Sequence, residues 1–73
     1  MQEVVATLVH PDQTAEVVFT KLANDRYRET FKMANGLQAV NAVFSDCPIH
    51  GRPGVLANKL ARYYRLGYLD KSK

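Results

Sequence analysis

Cysteine occurs once, at Cys47, and tryptophan is absent from the 73 residues. A lone cysteine excludes an internal disulfide, whereas very small secreted domains usually carry several. No run approaches the roughly 20 apolar residues of a membrane-spanning helix. The start, Met-Gln-Glu-Val-Val, lacks the basic and apolar regions of a signal peptide. These absences lead us to expect a cytoplasmic, reducing setting and no membrane partner. A chain of this length makes one domain and buries only about 60% of its unfolded surface. A deep substrate cavity beside so small a core is therefore not expected. Apolar residues nonetheless make up 47% of the chain, enough for a folded core.

Charge is unevenly placed. Residues 1–45 hold four cations against five anions, and residues 46–73 hold six against two. An anionic partner would therefore meet the C-terminal part. Within it, Gly54 to Leu69 joins a helical apolar period to a one-sided cationic face. At about 100° per residue, Leu56, Ala57, Leu60, Tyr63 and Tyr64 share one arc, and Asn58, Lys59, Arg62 and Arg65 the other. Pro53 and Gly54 suit a helix start, and Gly67 a left-handed C-terminal position. Arg62 and Arg65 fall where cations complement the helix dipole. Val55 and Leu66 lie within the basic arc, so this face suits a protein partner at least as well as a phosphate backbone. The candidate partner-binding residues are Arg52, Asn58, Lys59, Arg62, Tyr63 and Arg65; the plain alternative is an ordinary solvated helix face.

Ahead of this helix, Glu3 to Val9 is rich in β-branched residues and predicts a strand. His10 to Gln13 is a turn signal. Ala15 to Ala23 fits a helix face or a strand; strand is preferred, because the first strand needs a partner for its backbone groups. Asn24-Asp25 suits a hairpin turn. Arg26 to Met33 predicts a third strand, with Glu29 a misfit on its apolar side. After Asn35-Gly36, Leu37 to Ser45 predicts a short helix with Leu37, Val40 and Phe44 on one side. Asp46 to Gly54 predicts a loop. The expected fold is α+β: a small three-stranded antiparallel meander followed by two helices, in one domain and a monomer.

Few residues offer chemistry. Cys47 and His50 are three apart, a spacing that can begin a zinc site. Only His10 and Asp46 could complete four ligands, and no metal or other cofactor is expected. The same pair could be nucleophile and base, but the expected lack of a cleft argues against an enzyme. His50 to Gly54 lacks the Lys and Ser/Thr of a phosphate-binding loop. Residues 37–66, taken as helix–loop–helix, compare with helix-turn-helix DNA binders, in which Asn58, Arg62 and Arg65 would touch bases or phosphates. The connecting loop is about twice the usual 3–4 residues of such a turn. Tyr27, Tyr63, Tyr64 and Tyr68 interleave with arginines, a mixture suited to protein interfaces or to stacking on unpaired bases.

A short, basic chain without a catalytic set or cysteine framework resembles the small transcription regulators that lytic phages make against host RNA polymerase. The resemblance lies in size and character and carries no site residue with it. It implies a polymerase surface as partner, sterically blocked initiation and, in addition, antitermination. A DNA-binding repressor acting through the last helix is the alternative.

Overall fold

A computed structural model describes residues 2–47 and 51–71. Strands β1 (Glu3–Val9), β2 (Glu16–Ala23), β3 (Arg26–Lys32) and β4 (Gln38–Ser45) are followed by helix α1 (Val55–Arg65) and a two-residue strand β5 (Leu69–Asp70). The strands form one antiparallel sheet in the order β4-β3-β2-β1-β5. Among the described residues, five strands and one helix thus replace the expected three strands and two helices. The first three expected strands are present, and β2 resolves the ambiguity of residues 15–23 in favour of strand.

The correction at residues 37–45 has a local cause. Glu29 pairs with Ala42 and Thr30 with Val40, so Asn41 is an extra residue that bulges from β4. Pairing places Ala39, Ala42 and Phe44 on one face, and Val40 and Val43 on the other. The helix-like spacing of Leu37, Val40 and Phe44 does not mark one face: Val40 and Phe44 lie on opposite faces of β4, and Leu37 precedes the strand. The apolar pattern therefore misleads, and the need of β3 for a second ladder partner decides the outcome.

Strand register sets out one covered face. Ala6, Phe19 and Glu29 form one row across it, Leu8, Val17 and Phe31 another. Ala6, Leu8, Val17 and Phe19 are the buried core, and Leu56, Leu60 and Tyr63 of α1 pack against them. Burying side chains the size of Phe19 or Leu8 contributes about 1.5–3 kcal/mol each. Six rings run in contact through this layer: Tyr27, Phe44, Phe19, Tyr63, Tyr68 and His10, with centroid separations of 5.0–6.3 Å. Among the described residues, the opposite face of the sheet carries no helix.

Candidate functional site

Helix α1 is fixed to the sheet at its start, middle and end, and these attachments determine which side it shows. At the start, Asp46 Oδ1 accepts a hydrogen bond from the Leu56 N–H at 3.1 Å. The carboxylate thus caps the helix from across the loop, where an anion suits the dipole. Gly54 permits this approach, since a Cβ there would fall 2.1 Å from that same oxygen.

In the middle lies Glu29, the apparent misfit of β3. It is 2% exposed on the covered face. Lys59 Nζ sits 3.2 Å from its Oε1, and the Tyr63 hydroxyl donates to its Oε2. Lys59 also lies over the Phe44 ring, 5.1 Å from the centroid. Burial, and then the hydrogen bond to Glu29, hold the Tyr63 phenol well above the ordinary tyrosine range.

At the end, the Gly67 N–H donates to Tyr64 O and the Tyr68 N–H to Tyr63 O, both at 3.1 Å. This is a Schellman closure with Gly67 left-handed at φ +101°. Tyr68 folds back onto the last turn. His10 Nδ1 accepts from the Asp12 N–H at 3.0 Å. The ring's other nitrogen, Nε2, therefore donates to the Leu66 carbonyl at 3.0 Å.

These attachments rotate the helix relative to the arcs expected from sequence. Lys59, expected on the basic arc, turns toward Glu29, as does Tyr63 of the apolar arc; these two of the six candidate residues act in docking the helix. Arg52, Asn58, Arg62 and Arg65 are exposed. Among the described residues, neither Arg62 nor Arg65 has an ion-pair partner. Tyr64, expected on the apolar arc, is 42% exposed, and Leu66 and Leu69 lie beyond it at 62% and 61%. The outward surface is thus two free guanidiniums beside an exposed phenol and two leucines. Of the four tyrosines, three belong to the ring layer, leaving Tyr64 alone as an exposed aromatic anchor.

The helix-turn-helix comparison loses its first helix, because β4 occupies that stretch. His50 lies outside the described residues, so the Cys47–His50 pair has no geometry here. His10 and Asp46, the other two ligands considered for zinc, are engaged at the ends of α1. Among the described residues, no three His, Cys, Asp or Glu side chains gather as a metal site.

The uncovered sheet face holds a feature not expected from the sequence. Its twist forms an open trough of about 650 Å³, lined by Thr20, Thr30, Arg28, Lys32 and Lys71 among others. Lys71 Nζ is 2.8 Å from Glu16 Oε2, and this hydrogen bond lowers the Glu16 pKa. Arg28 donates to Gln2 at 3.2 Å. Two of its cations are therefore already engaged. The alternation of Val18, Thr20, Arg28 and Thr30 with core residues was the available signal for this face.

No described helix is long and apolar enough to cross a membrane. No protein-family model matches the chain, and neither a curated protein nor a solved structure matches it.

Proposed function

We propose that this chain is a binding protein without chemistry of its own, which docks the outer face of α1 on a larger protein and acts by occupying that surface. The supporting observation is the pairing of Arg62 and Arg65, free of ion-pair partners among the described residues, with exposed Tyr64, Leu66 and Leu69. Arginine, tyrosine and exposed apolar side chains together are the composition of interface anchors. An apolar surface rimmed by carboxylates is the complement they need. The resemblance to small phage regulators names bacterial RNA polymerase as that larger protein, with blocked initiation, and antitermination besides, as the effect.

Nucleic acid is the second reading, favoured by one observation. The helix contains no acidic residue, and Arg52, Asn58, Arg62 and Arg65 are all exposed. Salt separates the two. Binding through phosphates loses affinity steeply as salt rises, with a slope near −0.9 per phosphate contacted on duplex DNA. Binding through the leucines and tyrosine persists at moderate salt. Titration of purified RNA polymerase and, separately, of duplex DNA at several salt concentrations is the test. Polymerase binding that survives the series supports the proposal, and salt-labile binding to DNA alone supports the alternative.

A further inference from the structure

The two edges of the sheet are treated differently. β5, at one edge, is two residues long, contains Asp70 and is followed by Lys71. Short, charged edges resist pairing with other chains. β4, at the other edge, has eight residues, no proline and no charge. It is the one described element without a charged side chain. Val40 and Val43 stand on its uncovered face, 61% and 54% exposed. Its outer backbone groups have no strand partner among the described residues.

The sequence of β4, Gln-Ala-Val-Asn-Ala-Val-Phe-Ser, complements itself when reversed. With an axis between Asn41 and Ala42, Gln38 meets Ser45, Ala39 meets Phe44, and Val40 meets Val43. The bulge at Asn41 makes this complementarity three-dimensional. Val40 pairs with Thr30 and Val43 with Arg28, which places both valines on the uncovered side. Ala39 and Phe44 both fall on the helix side. Without the extra residue, Val40 and Val43 would point to opposite faces.

We infer that β4 pairs antiparallel with β4 of a second copy of this chain, about a twofold axis, making one continuous ten-stranded sheet. Val40 then faces Val43 of the partner subunit, and the reverse, so four β-branched side chains form one stripe. No charge on β4 opposes its like. The twofold contact uses both long edges and leaves only the two short β5 edges, so the assembly closes as a dimer instead of growing. This departs from the monomer expected of the sequence. It uses no residue of the α1 surface, so either proposal can fail while the other stands.

Sedimentation equilibrium of the full chain over a concentration series is the first test. The expected weight-average mass rises with concentration toward twice the 8.2 kDa of one chain. A mass that stays at 8.2 kDa into the hundreds of micromolar overturns the inference. Register is tested by charge placement at two exposed positions. Val40→Lys with Val43→Lys sets like charges opposite each other across the axis and is expected to abolish the dimer while leaving a folded monomer whose melt no longer depends on concentration. Val40→Lys with Val43→Glu sets opposite charges together and is expected to retain it. A dimer that ignores the first change, or that is lost in the second, has a different interface and overturns the inference. A mixed sample of labelled and unlabelled wild-type chains needs no variant. Interchain methyl contacts between Val40 and Val43 are expected, and their absence from a dimeric sample refutes the pairing.

Discussion

The carboxylate of Glu29, buried in the middle of the sheet, meets the ammonium of Lys59 on the helix above it at 3.2 Å. A buried anion is tolerated where a cation and a hydrogen-bond donor satisfy it, and Lys59 and Tyr63 supply both. The pair therefore fixes the rotation of α1 and with it the choice of residues shown outward. Breaking a fully buried pair by removing one partner typically costs about 3–5 kcal/mol. The Lys59 side chain is 31% exposed, and water can partly replace it. Lys59→Met should therefore destabilise by less, about 2 kcal/mol. Combining it with Glu29→Met and Tyr63→Phe should recover most of the loss, because no polar group is then left unsatisfied. Urea denaturation of the single and triple variants checks this.

Tyr63 adds a pH dependence. Burial first, and then Glu29, raise its pKa in the folded state. The unfolded chain therefore releases this proton near the ordinary phenol value of about 10, while the folded chain keeps it. Above that pH the unfolded state binds fewer protons, so stability falls as pH rises. Below it the contribution is fully present. Absorbance at 295 nm during an alkaline titration should show Tyr63 ionising together with unfolding. In Tyr63→Phe this part of the alkaline loss should be absent.

The two ends of α1 are separately testable. Gly67→Ala puts a side chain at φ +101° and a Cβ 2.9 Å from His10 Nε2. Strain of this kind costs about 1–3 kcal/mol, and the His10 bond to Leu66 should open as well. Asp46→Ala removes the cap on Leu56 and should cost about 0.5–2 kcal/mol. Thermal melts give the magnitudes, and faster amide exchange confined to the altered end of the helix gives the location.

Much of this fold was legible in the sequence where one face alone decides the pattern. β1 follows its β-branched content and β3 its alternation, and Gly67 marks the end of α1. What misled were positions whose partners are distant in sequence. Glu29 looks like an error in β3 until Lys59, thirty residues later, stands above it. Lys59 looks like a surface residue for the same reason. In β4, Val40 and Phe44 stand at helical spacing with Leu37 yet lie on opposite faces of the strand. The exposure of Arg52, Asn58, Arg62 and Arg65 was readable because no interior group competes for them. Tyr64 was assigned to the wrong side because the Glu29 contact turns the helix.

The most direct measurement of the central claim is the affinity of Arg62→Glu with Arg65→Glu for purified bacterial RNA polymerase, taken beside a thermal melt. Both side chains are exposed but lie in the last turn of α1, where reversal opposes the helix dipole, so stability should fall by about 1–2 kcal/mol without loss of the fold. Like charges set against a complementary surface cost several kcal/mol, so affinity should fall by about a hundredfold or more. A cooperative melt, only modestly lowered, with lost binding is the predicted result. Full-strength binding by the double variant would contradict the account and remove the outer face of α1 as the docking surface.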